Sequence, residues 1–176
     1  MSRAARLSYA ELISLMDRMP SYNTYLSRDE AAAAERDFRQ ALGRMLKECG
    51  EQLLNLAEKQ RPCLAEEQEA VIDVLVERIS AIFRRLDREG IICLVGGCDA
   101  TIAELEELDT RLILLIEEAI ALVRTLQGDV RSLGGFKEIA TLLSRDLAAF
   151  SDAAEERNFL LGLGWESEFA WYGRNT

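Results

Sequence analysis

Residues 27–59 read SRDEAAAAERDFRQALGRMLKECGEQLLNLAEK, and their spacing decides the fold class. Ser27 and Glu30 form a capping box, in which the hydroxyl and the carboxylate each satisfy a backbone N–H left over at a helix start. Behind it, Phe38, Ala41, Leu42, Met45, Cys49, Leu53 and Leu56 recur at three- and four-residue steps. That period winds one apolar stripe along a helix and cannot line one face of a strand. The pattern predicts an amphipathic helix over 28–59, stopped at Pro62. Gly43 and Gly50 interrupt it, each weakening it by ~1 kcal/mol relative to Ala. Two glycines one heptad apart predict close approach by a neighbouring helix.

The same reading extends outward. Downstream, Val71, Ile72, Leu75, Ile79, Ile82, Phe83 and Leu86 mark a helix over 65–88, with Gly90 suited to its C-terminal cap. Thr101 and Glu104 offer a second capping box, opening a helix that runs to Gln127 and ends at Gly128. Its stretch LILLIEEAIALV, residues 112–123, is apolar on most sides and predicts the most central helix. A further helix runs from Phe136 to Leu161 through Ile139, Leu142, Leu143, Leu147, Phe150 and Phe159. Upstream, residues 8–18 form a short amphipathic helix that ends before Pro20. The β-prone segment IICLV has no second strand to pair with. Short connections between long helices make neighbours antiparallel. The expected fold is all-α: a single up-and-down antiparallel bundle of four long helices, with short helices at both ends. Residues 1–161 form the bundle domain. Residues 162–176 form an aromatic C-terminal tail, docked on that bundle or on a partner.

Composition excludes several chemistries. The chain has no histidine, so the commonest general base, the usual zinc and iron ligand and the ordinary pH switch are all missing. The net charge of −10 is concentrated: residues 1–63 carry +1, residues 64–118 carry −9 and residues 119–176 carry −2. Phosphate backbones and anionic lipid surfaces are repelled by such a surface, so neither nucleic acid nor membrane is expected as a partner. No apolar run approaches the ~20 residues that span a bilayer. The N-terminus lacks a cleavable leader pattern, and the chain is expected to be cytoplasmic.

Four cysteines without histidine raise the question of a four-thiolate zinc site. Antiparallel packing separates Cys63 from Cys93 and Cys98 by the length of one helix, roughly 37 Å. Only Cys93 and Cys98 remain as a possible thiol pair. The double glycines Gly96-Gly97 and Gly134-Gly135 precede helices, where backbone N–H groups can hold an anion. Neither lies in a P-loop context, although Lys137 stands near the second.

Glu66, Glu67 and Glu69 on one helix, with Glu104, Glu106, Glu107 and Asp109 on another, could share a divalent cation. The Glu106-x-x-Asp109 pair resembles part of the metal motif of all-α nucleotide pyrophosphatases of the MazG type. That resemblance would imply metal-dependent hydrolysis of a phosphorylated small molecule. The partner motif departs from it: EEQE at 66–69 misses the spacing by one residue. The two groups also begin successive helices, which places them at opposite ends of an antiparallel bundle.

The tail WESEFAWYGRNT gathers both tryptophans of the chain. Trp165, Phe169 and Tyr172 fall on one helical face, with Trp171 beside them. These four are the candidate partner-binding residues, because aromatic anchors carry much of the energy of protein interfaces. With no catalytic motif complete, no catalytic residue, metal or cofactor is assigned. The leading expectation is a non-enzymatic helical interaction module, an adaptor, scaffold or chaperone-like protein. The expected partner is a protein, for which the acidic charge suits a basic surface, or a second copy in a homodimer. A metal-dependent hydrolase and a small-ligand sensor with a pocket in the bundle are the alternatives.

Overall fold

The computed structural model describes residues 28–86, 99–128 and 132–162, and these form four long helices. Helix α1 spans Arg28–Gln60, α2 Glu66–Leu86, α3 Asp99–Gly128 and α4 Leu133–Leu160. No strand occurs among the described residues. The fold is the expected all-α bundle, with element boundaries close to those read from the periodicity. The short helix at 8–18, the residues 87–98 with Cys93 and Cys98, and the tail with Trp165, Phe169, Trp171 and Tyr172 all lie outside the described residues.

The apolar stripes meet in one core. Phe38, Leu42, Met45, Cys49 and Leu53 of α1 pack with Ile72, Leu75, Ile79 and Ile82 of α2. Leu112, Ile116, Val123 and Leu126 of α3 and Phe136, Leu143, Leu147 and Phe150 of α4 complete it. Each large apolar side chain taken fully from water contributes roughly 1.5–3 kcal/mol, so this shared core is the main source of stability.

Helix α1 packs on α2 and α3, while α4 packs on α3 and α2. Around the bundle the order is therefore α1, α2, α4, α3, and the consecutive helices α2 and α3 stand at diagonal corners. Side-chain links give the directions. Arg78 of α2 donates to the carbonyl (2.9 Å) and hydroxyl (2.6 Å) of Ser144 on α4, and Arg85 donates to the Ser151 hydroxyl at 2.7 Å. Both partners advance by seven residues, so α2 and α4 run parallel in a register of 66. Gln127 of α3 reaches the Gln52 carbonyl of α1 at 3.3 Å. Sequence neighbours are antiparallel and the side-by-side pairs α1/α3 and α2/α4 are parallel.

Several local expectations shift. Helix α3 begins at Asp99, so Thr101 lies inside its first turn. Helix α4 begins three residues before Phe136, because Ser132 caps it: the Ser132 hydroxyl accepts from the Gly135 N–H at 3.2 Å. Gly134-Gly135 is thus a first helical turn and not a loop. At the other end Gly162 takes φ 73°, a left-handed conformation suited to glycine just after a helix. The stretch 112–123 is not more central than the others; α3 occupies one corner, and Leu114 faces outward. Phe83 and Phe159, placed on apolar stripes by their spacing, are about half exposed.

The glycines of α1 do admit a close neighbour. A Cβ on Gly43 would lie 3.1 Å from the Phe83 ring, and one on Gly50 would lie 3.6 Å from the Ile79 Cγ2. Helix α1, of 33 residues, is the longest of the four. Leu54 is its only exposed large apolar side chain among the described residues.

Candidate functional sites: a buried charge cluster and an outer groove

Charges at apolar-stripe positions build the first site. Glu35 precedes Phe38 by three residues, Asp109 precedes Leu112 by three, and Arg157 follows Phe150 by seven. All three side chains are therefore turned inward at the end of the bundle where α1 and α3 begin and α2 and α4 finish. Their exposures are 2%, 0% and 3%. The Arg157 guanidinium donates to the Glu35 carboxylate at 2.6 Å and to both oxygens of Asp109, one of them through Nε. It also lies 4.5 Å from the centre of the Phe38 ring, a cation–π contact.

Arg39 extends the network. Its Nε donates to Glu35, and its other nitrogens donate to the Leu86 carbonyl at the end of α2 and to the Asn158 side chain, both at 3.2 Å. Two carboxylates face two guanidiniums, so the buried charge sums to zero. Burial pushes the Glu35 carboxyl up, but the guanidiniums, Arg157 first and then Arg39, more than offset this. They hold it below the ordinary carboxylate value. All four helices contribute an atom. Glu35 and Arg157 were not singled out by the periodicity, although opposite charges at core positions are the signal that could have found them. With both carboxylates occupied by arginines, the cluster is a structural joint with no free base or nucleophile.

The carboxylates suggested as metal ligands are not brought together. Asp109 is held by Arg157, whereas Glu67 pairs with Lys137 at 2.6 Å across the opposite end, between the starts of α2 and α4. The bond and charge of Lys137 hold the Glu67 carboxyl below its usual value. Lys137 and the Gly135 N–H are therefore both engaged, by Glu67 and by the Ser132 hydroxyl. No group of three or more His, Cys, Asp or Glu among the described residues is arranged to hold a metal ion. Cys49 is buried, and burial together with the Glu48 charge pushes its thiol up to about 12. It is a small apolar filler, while Cys63 is exposed.

The second site lies outside the core, between the parallel helices α2 and α4. A solvent-open groove of about 440 Å³ is lined by Val74, Ala81 and Ile82 of α2 and by Leu147 and Ala148 of α4, with Glu77, Arg78, Arg85, Ser151 and Asp152 around them. Small side chains at Ala81 and Ala148 leave the space. Val74, 57% exposed, forms one apolar edge. Arg78 and Arg85 lean across it onto serines, and Arg85 also pairs with Glu155 at 3.8 Å. Glu77 and Asp152 have no ion pair among the described residues. No helix of the described residues is long and apolar enough to cross a membrane.

No family model, no curated protein and no solved structure matches the chain.

Proposed function

We propose that the protein is a non-enzymatic helical interaction module whose contact face is the α2/α4 groove. The observation that carries this reading is the groove itself. It has an apolar floor with small residues at its centre, bordered by charged side chains, of which Glu77 and Asp152 have no ion pair among the described residues. Helices dock in such grooves by inserting apolar side chains while charged flanks fix the register. The aromatic segment with Trp165, Phe169, Trp171 and Tyr172 is a second contact element in this reading, since clustered aromatics serve as interface anchors.

Replacing the exposed Ala148 by Arg fills the groove without touching the core. The full chain and its Ala148→Arg variant, used as bait under identical conditions, separate the outcomes. Loss of specific partners from the variant, with an unchanged melting curve, supports the reading. An identical set of partners on both baits contradicts it.

A further inference from the structure

We propose that the occupant of the α2/α4 groove is a second copy of this chain, related by a twofold axis running along the groove. The inference rests on the groove reading above and adds the partner and the pairing.

The argument starts from which shoulder each charge occupies. Arg78 and Arg85 lean inward, onto Ser144 and Ser151. Glu77 and Arg84 each precede one of these arginines by one residue, about 100° round the helix, so they stand on the outer shoulder of α2. Arg145 and Asp152 each follow one of the two serines by one residue and stand on the outer shoulder of α4. All four are exposed.

A twofold axis along the groove lays α2 of one copy over α4 of the other in the same parallel sense that they have within one chain. The register of 66 then sets the levels: residue 77 meets 143, and residue 84 meets 150. The outer shoulders coincide, so Glu77 meets Arg145 of the second copy, and Arg84 meets Asp152, each displaced by two residues or roughly 3 Å. Both pairs join opposite charges, and the symmetry makes each occur twice. At the centre Ala81 crosses Ala148, the small side chains that permit close helix packing. Among the described residues Glu77, Arg84 and Asp152 have no ion pair, and Arg145 pairs with its neighbour Asp146 at 3.1 Å. A surface that carries both halves of its own complement side by side meets the condition for an isologous contact.

Equilibrium sedimentation of the full chain with charge-reversed variants tests this. The expected result is a dimer that weakens with added salt. Arg84→Glu or Asp152→Arg alone raises its dissociation constant by about tenfold or more, because each reversal acts twice. The double variant Arg84→Glu/Asp152→Arg restores association, since it exchanges the signs within both copies of the Arg84–Asp152 pair and leaves the Glu77–Arg145 pairs as they are. Thermal melts confirm that the exposed substitutions leave the fold intact. A monomer at every concentration, a dimer indifferent to the single reversals, or a double variant that stays dissociated overturns the proposal. None of these results touches the groove reading, which fails only if Ala148→Arg leaves partner capture unchanged.

Discussion

At the residue scale the informative side chain is Arg157. It bridges Glu35 and Asp109 in a place from which water is largely excluded, so removing it leaves two buried carboxylates facing the single guanidinium of Arg39. Arg157→Met is expected to destabilise the protein by about 3–5 kcal/mol, measured by denaturant unfolding. Replacing Glu35, Arg39, Asp109 and Arg157 together by Leu, Met, Leu and Met is expected to leave stability equal or raise it by about 1–4 kcal/mol, because no charge then has to be desolvated. A quadruple variant as unstable as the single one would show that the network is itself the source of stability. Acid reads the same cluster. The folded-state pKa of Glu35 lies below its ordinary value of 4.5, so the folded protein holds fewer protons there than the unfolded chain. The stability this supplies is complete above the ordinary value and is lost as pH falls from there through the lowered pKa. Melting temperature should therefore be flat near neutral pH and drop in the acid range, with a shallower drop in Glu35→Gln.

At the scale of the elements, helix ends and helix contacts set the next terms. The N-terminus of α2 is half capped: the Gln68 side chain accepts from the Ala65 N–H at 2.9 Å, but Ala65 has no side-chain oxygen to accept in return, and only its carbonyl receives the Gln68 N–H, at 2.9 Å. Ala65→Ser completes the reciprocal pair and is expected to raise stability by about 0.5–1 kcal/mol in thermal or denaturant unfolding. On α1, Gly50→Ala meets Ile79 at ordinary contact distance and should stabilise by about 0.5–1 kcal/mol through helix propensity. Gly43→Ala gains the same propensity but presses on the Phe83 ring, so it should fall short of Gly50→Ala in the same assay. The helices themselves were legible in the sequence, because three- and four-residue spacing and capping residues act locally. Their limits were less so. The α4 start was placed at Phe136 because Gly134-Gly135 looks like a turn, whereas the Ser132 cap supplies enough to carry two glycines into the first turn. Phe83 and Phe159 share the helical period of the core yet face outward, since period alone does not say how wide the buried arc is.

For the whole molecule, the four-helix count and the all-α class follow from pattern, while the order of the helices does not. Local spacing cannot say that α2 stands diagonally from α3 and beside α4. That neighbour relation depends on contacts across the core and on links such as Arg78 to Ser144 and Lys137 to Glu67, which join residues 66 and 70 positions apart. The groove was hidden for the same reason, as its walls come from two helices that are not consecutive. Of the two cysteines among the described residues, Cys49 is the buried filler its stripe position implies, and Cys63 lies exposed in the turn after α1. The central claim is that this bundle is an interaction module whose α2/α4 groove receives a second copy. Residue-resolved NMR of the backbone amides, recorded as the protein is diluted from millimolar to micromolar concentration, tests it most directly. The account predicts that dilution shifts the resonances of residues 74–85 and 144–152 and leaves the outer faces of α1 and α3 unmoved. Shifts gathered on α1 and α3, or spectra that do not change at all, would contradict it.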